Sequence, residues 1–181
     1  LTLAINRRDG RILWQREVRS EHQGVFHQLN NPASSTPAAD ARRVYVYFGT
    51  YGLLCYDHAG NQVWQRPLDT PRSKYGMATS PILYRDTVIL VQDGDDGRSR
   101  LLAVHKSSGE TAWEQPRALF TAGWSTPMIF RHSAAEDLIV LGSRRLTACW
   151  SRSTAASMPV MARGSCRLER GASRNARASS G

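Results

Sequence analysis

Three of the five tryptophans stand four residues after a glycine that closes a polar cluster: Gly10 and Trp14 in "RRDGRILW", Gly60 and Trp64 in "DHAGNQVW", Gly109 and Trp113 in "HKSSGETAW". Successive tryptophans lie 50 and then 49 residues apart. A fixed period of that size is the mark of a fold made of stacked copies of one unit.

Each unit also has a recognisable start, a small-hydroxyl-proline signal at Ser35-Thr36-Pro37, Thr79-Ser80-Pro81 and Ser125-Thr126-Pro127. A four-residue apolar block follows each proline: "VYVY" (Val44 to Tyr47), "VILV" (Val88 to Val91) and "LIVL" (Leu138 to Leu141). Their β-branched and aromatic content is that of buried strands. The first two blocks begin seven residues after their proline and the third eleven after, so an excess of four sits in the polar loop around "RHSAAED", where insertions cost little. Second strands are predicted at "LLCY" (Leu53 to Tyr56), "LLAV" (Leu101 to Val104) and "LTAC" (Leu146 to Cys149), with "LTLAI" at Leu1 as the remnant of an earlier copy. Asp9-Gly10, Ala59-Gly60 and Ser108-Gly109 fit tight turns in which glycine takes a positive φ, and the last strand carries the tryptophan. The expectation is an all-β chain of four-stranded antiparallel units with no helix. Such a sheet is apolar on both faces and must stack on copies of itself, most simply around an axis as a β-propeller, with each indole buried in a seam.

The pattern A-x-[D/N]-x-x-[S/T]-G-x-x-x-W, best kept in "AINRRDGRILW" (Ala4 to Trp14) and "AVHKSSGETAW" (Ala103 to Trp113), resembles the repeat of PQQ-like (quinoprotein alcohol dehydrogenase-like) β-propellers. In "CYDHAGNQVW" the turn is one residue shorter, which displaces Asp57, and His105 stands where the family usually has Asp. The resemblance runs from Leu1 to about Cys149 and implies an incomplete propeller of about three to three and a half blades in residues 1–150. It implies two kinds of function. In one branch a quinone sits in the central channel with calcium or a similar ion, an adjacent cysteine pair and a catalytic carboxylate. The other holds cofactor-free scaffolds, among them the lipoprotein of the outer-membrane β-barrel assembly machinery. The scaffold reading, with a protein partner and a periplasmic or extracellular bacterial location, is the expectation; a fragment of a PQQ-dependent alcohol or sugar dehydrogenase is the alternative.

The residues bear on that choice. The three cysteines, Cys55, Cys149 and Cys166, include no adjacent pair and no C-x-x-C spacing, which supports neither a disulfide framework nor a zinc site. The one acidic cluster, "DGDDG", offers Asp93, Asp95 and Asp96 as weak metal candidates, because carboxylates at alternate positions can wrap a hard cation. The twelfth position counted from Asp93, where a calcium loop places its bidentate acid, is Val104. A solvent-exposed turn is therefore the expectation there. His22 and His27 lie five apart in the long polar connection between Trp14 and Pro37. Two histidines without a third ligand fit a hydrogen-bonded loop better than a metal site. Serine-hydrolase, nucleotide-loop and metalloprotease motifs are not found, so no catalytic or cofactor-binding residue is assigned; Gly10, Trp14, Gly60, Trp64, Gly109 and Trp113 are assigned to structure.

No apolar run approaches the ~20 residues of a membrane-spanning helix, and "LTLAINRRDG" lacks the parts of a signal peptide; with Leu1 in place of Met, the native start is expected to be missing. The formal charge of +9 is uneven. Residues 151–181 carry six arginines against Glu169, hence +5, which leaves +4 for residues 1–150, where no nucleic-acid binding is expected. The fourth copy begins properly but then fails, with Thr154 and Met158 where the turn glycine and tryptophan should fall. Ser, Arg, Ala and Gly make up 22 of the last 31 residues. A disordered tail from a frameshift in a GC-rich gene is the preferred expectation, beside a plain linker or a basic nucleic-acid-binding tail. An open arc of blades leaves sheet edges exposed, which predicts self-association.

Overall fold

The computed structural model describes residues 1–18, 27–28, 30–133 and 135–142, and the regular structure in them is all strand. The strands are β1 (Thr2–Ile5), β2 (Ile12–Arg16), β3 (Ala38–Ala39), β4 (Arg43–Phe48), β5 (Gly52–Asp57), β6 (Gln62–Pro67), β7 (Ile82–Tyr84), β8 (Thr87–Gln92), β9 (Arg100–His105), β10 (Thr111–Pro116), β11 (Met128–His132) and β12 (Ala135–Ile139). They form two complete four-stranded sheets, β3-β4-β5-β6 (blade II) and β7-β8-β9-β10 (blade III). A pair, β1-β2, precedes them as the last two strands of blade I, and a pair, β11-β12, follows as the first two of blade IV. Neighbouring strands are antiparallel throughout. The fold is thus an open, incomplete β-propeller. The predicted strand at Leu146 to Cys149 and the tail at 151–181 lie outside the described residues. "LIVL" contributes only Leu138 and Ile139 to β12, which begins earlier, at Ala135.

The alternation of the strands sorts their side chains between seams. Tyr45, Tyr47, Leu53, Cys55 and Trp64 of blade II meet Val88, Leu90, Leu102 and Val104 of blade III in one buried cluster. Ile89, Val91, Leu101 and Ala103, on the opposite face of blade III, meet Leu138 and Val140 of blade IV, with Trp113 and Ile129 packed against them. Val46, Phe48, Leu54 and Tyr56 turn the other way, toward Trp14 and Val18 of blade I. Both faces of a complete blade are dry, which is why "VYVY" and "VILV" read as unbroken apolar blocks rather than as alternating ones. Each fully buried Leu or Val contributes about 1.5–3 kcal/mol.

The strand that carries the tryptophan has a bulge just before it in each of the three described copies. The register slips between Ala4 and Ile5, between Cys55 and Tyr56, and between Thr111 and Trp113. The extra residue is therefore Leu13, Val63 or Ala112, and the tryptophan that follows pairs with Ala4, Cys55 or Ala103. A bulge re-aims the next side chain, and the small residue across the ladder leaves space for the indole.

Candidate functional site

Antiparallel connectivity gives the stack two unlike ends. One carries the tight turns β1-β2, β3-β4, β5-β6, β7-β8 and β9-β10; the other carries the β4-β5 and β8-β9 loops together with the long connectors between blades.

The tight-turn end holds the blades together. Gly10, Gly60 and Gly109 have φ of 75°, 83° and 77°, as the hairpin reading requires. Two of them do more. A Cβ on Gly60 would lie 2.6 Å from the Trp14 ring, and one on Gly109 would lie 2.8 Å from Trp64. Each indole thus lies flat on the turn glycine of the next blade, not on the glycine of its own. The Trp14 Nε1 donates to the carbonyl of His58 at 3.0 Å, and the Trp64 Nε1 donates to that of Lys106 at 2.9 Å. Two residues on, Arg16 donates to the Gly60 carbonyl at 2.7 Å and Arg66 to the Gly109 carbonyl at 2.8 Å. This Trp-x-Arg clasp was invisible to a search for glycine-tryptophan spacing, although "WQR" occurs in both copies.

The three proline signals also join blades. Ser35 donates to the Thr79 carbonyl at 2.8 Å, the Thr36 amide to the Ser80 hydroxyl at 2.9 Å, and the Ser80 amide to the Thr126 hydroxyl at 3.3 Å. The residues of these signals are therefore rungs that link the chain just before the first strands of neighbouring blades. A shallow depression of about 380 Å³ near the β3-β4 turn is lined by Asp40, Arg43, Tyr45 and Lys106. Burial pushes the Asp40 carboxyl up, but amide bonds from Arg42 and Arg43 and the Lys106 ammonium at 3.2 Å outweigh it, so the group is held below the usual carboxylate range.

On the connector end, the structure corrects the exposed-turn reading of "DGDDG". Asp93 is only 1% exposed and forms a two-point ion pair with Arg117, which is 6% exposed, at 2.9 and 2.8 Å. The reason is the connector after β10, which folds back and brings a cation onto the first carboxylate. Arg117 also donates to the Leu141 carbonyl at 3.2 Å and stacks 4.0 Å over the Phe120 ring. Asp95 remains exposed and accepts the Ala122 amide at 3.1 Å. Asp96 accepts the Arg72 amide at 2.8 Å and pairs with Arg98 at 2.7 Å. Its burial is outweighed by these bonds, so its carboxyl is held below its ordinary range. The three carboxylates are thus spent on the two connectors that flank them, the one after β6 and the one after β10.

No three His, Cys, Asp or Glu side chains among the described residues are grouped to hold a metal ion. Cys55 is buried in β5, where burial pushes its thiol up to about 11. Cys149, Cys166 and His22 lie outside the described residues.

His27 belongs to a feature that the sequence reading missed. Its ring lies 4.9 Å from that of Tyr75, which in turn meets Trp124 edge-on at 5.7 Å. The Trp124 Nε1 donates to the Gly76 carbonyl at 2.9 Å, Asn30 donates to the Tyr75 carbonyl at 2.6 Å, and the Lys74 ammonium sits 5.5 Å over the Tyr75 ring. Three successive connectors thereby set an aromatic row on one face, with Tyr75 and Trp124 41% and 43% exposed.

Solved structures similar to the chain include a quinohemoprotein alcohol dehydrogenase from Pseudomonas putida HK5, 19% identical over 62% of this chain and 17% of that one, with a TM-score of 0.46. A quinohemoprotein alcohol dehydrogenase from Comamonas testosteroni is also 19% identical, over 62% of this chain and 18% of its own, with a TM-score of 0.43. BamB from Moraxella catarrhalis is 14% identical over 66% of this chain and 36% of its own, with a TM-score of 0.45. The chain spans between 17% and 36% of the length of these proteins. No curated protein matches it. The family model described as outer membrane protein assembly factor BamB matches residues 2–115, well over half of the chain, and the chain belongs to this family of PQQ-like β-propeller proteins.

Proposed function

We propose that this propeller is a non-catalytic scaffold of the bacterial cell envelope that presents its connector face to a protein partner. The observation that carries the reading is the row His27, Tyr75 and Trp124. Two large aromatics held half in solvent by backbone hydrogen bonds, with Lys74 at their edge, have the composition of a protein-binding hot spot. The family's description as an outer membrane protein assembly factor supports a partner among the proteins that assemble outer-membrane barrels, and a periplasmic location by resemblance.

The test is a photo-crosslinking amino acid placed at Tyr75, at Trp124 and, as a control on the tight-turn end, at Ala41, in the full-length protein in its own host. Crosslinks to an outer-membrane assembly component from the first two positions, but not from the third, are expected. Equal labelling from all three would contradict the reading. Dye-linked alcohol oxidation by the full-length protein with added pyrroloquinoline quinone and calcium would replace it with the dehydrogenase alternative.

A further inference from the structure

The loop between β8 and β9 is longer than the fold needs. Residues 93–99 make a turn for which residues 49–51 suffice in blade II, between β4 and β5. Extra loop residues on a rigid scaffold are where binding functions concentrate. We propose that Asp95, in this loop, is the positioning residue of the aromatic row: its one carboxylate holds two connectors and thereby fixes Tyr75 against Trp124 before a partner arrives. The proposal rests on the reading of that row as the partner-binding surface.

The loop is laid on both connectors. Toward the one after β6, the Asp95 amide donates to the Arg72 carbonyl at 2.7 Å, and the Asp96 carboxylate accepts the Arg72 amide at 2.8 Å. Gly94 lies so close to the same connector that a Cβ there would collide with Pro71 and stand 2.7 Å from the Arg72 carbonyl. Toward the connector after β10, the Ser99 carbonyl accepts the Arg117 amide at 2.7 Å, and the Ser99 hydroxyl donates to the Phe120 carbonyl at 2.8 Å. These contacts fasten the connectors at residues 71–72 and 117–120, short of the aromatic rings.

Asp95 is the side chain of the loop that bonds to both connectors, and it does so beside the rings. Its Oδ1 accepts the Ala122 amide at 3.1 Å and its Oδ2 accepts the Lys74 amide at 3.4 Å. Lys74 adjoins Tyr75, and Ala122 is two residues before Trp124. The two oxygens of one rigid group therefore set the spacing of the two backbones next to the row. The rings they carry meet edge-on at 5.7 Å and 70°. The indole N–H also ties Trp124 to the Gly76 carbonyl, but that bond acts through rotatable side-chain torsions, whereas the carboxylate acts on the main chain. Irregular segments lose conformational entropy when they are ordered. A row ordered in advance spares the partner that cost, which is how a preorganised surface gains affinity.

The test uses the full chain labelled with 5-fluorotryptophan, whose five tryptophans give five fluorine resonances; Trp124→Phe identifies the one from Trp124. Tyr75→Leu is expected to move that resonance, because it removes the ring from the edge of the indole. In Asp95→Ala the Trp124 resonance is expected to move and to lose most of its response to Tyr75→Leu, while the other four resonances and the denaturant midpoint stay unchanged. Asp95→Asn, which keeps an acceptor for only one of the two amides, is expected to fall between. A Trp124 resonance that answers to Tyr75→Leu as fully in Asp95→Ala as in the parent chain would overturn the proposal. So would an equal movement of all five resonances, which would make Asp95 a general support of the fold. Binding is read separately, in the full-length protein in its host: photo-crosslinking from the Tyr75 position is expected to fall about tenfold in Asp95→Ala. A yield that Asp95→Ala leaves unchanged would overturn the role of the clamp in binding. No crosslink from that position with Asp95 intact would instead sink the reading of the row, and the fluorine shifts would still decide whether Asp95 positions the rings.

Discussion

Trp64→Ala is expected to destabilise the chain by about 3–5 kcal/mol, read as a lower denaturant midpoint in tryptophan fluorescence and circular dichroism. The indole fills the seam between the two complete blades: it belongs to the cluster with Tyr47, Leu90 and Leu102, and its ring centroid is 6.1 Å from that of Tyr45. Removing it opens a cavity that the strands on either side cannot collapse into without slipping their own ladders. It also takes one of two donors from the Lys106 carbonyl, leaving Arg43, and uncovers the Gly109 turn. Trp64→Phe is expected to restore most of the lost stability, leaving about 1 kcal/mol for the missing N–H. Against a total of about 5–15 kcal/mol for a domain, the alanine variant is close to the threshold of folding.

The second large effect is expected on the opposite end. Asp93→Ala leaves the Arg117 guanidinium buried with no counter-charge, a loss of about 3–5 kcal/mol. Asp93→Ala combined with Arg117→Met is expected to be markedly less harmful than the aspartate change alone, because no charge is then left uncompensated. The pair ties the β8-β9 loop of blade III to the connector that leads into blade IV, and Arg117 reaches the Leu141 carbonyl as well. Denaturant melts of the two variants settle the point: equal losses would mean that the pair itself, not the stranded charge, dominates.

Much of this architecture could be read from the residues. The spacing from Pro37 and Pro81 to "VYVY" and "VILV" placed β4 and β8, and the alignment of "LIVL" with "VILV" agrees with the register that β11 and β12 adopt. Turn glycines at positive φ followed from their place after Asp9, Ala59 and Ser108. What escaped was whatever depends on two copies at once. That Trp14 covers Gly60 rather than Gly10 is a contact over 46 residues, and nothing within one repeat encodes it. The bulge before each tryptophan is hidden because the extra Leu13, Val63 or Ala112 is an ordinary strand residue. Asp93 read as a solvated turn acid because its partner, Arg117, is 24 residues away in an irregular connector. The aromatic row was missed for a geometric reason: His27, Tyr75 and Trp124 stand ten, six and three residues before their prolines, so no alignment of the repeats puts them in one column.

The central claim is that Trp14 and Trp64 are each seated on the turn glycine of the following blade. Gly109→Ala and Gly10→Ala test it most directly, compared by denaturant unfolding of the same chain. Both alanines bear the strain of a left-handed backbone, about 1–2 kcal/mol, but only at Gly109 does the new methyl meet an indole. Gly109→Ala is expected to cost at least about 1 kcal/mol more than Gly10→Ala, and that excess is expected to vanish when Trp64 is also alanine. Equal costs at the two glycines, or an excess that survives the loss of Trp64, would contradict the account.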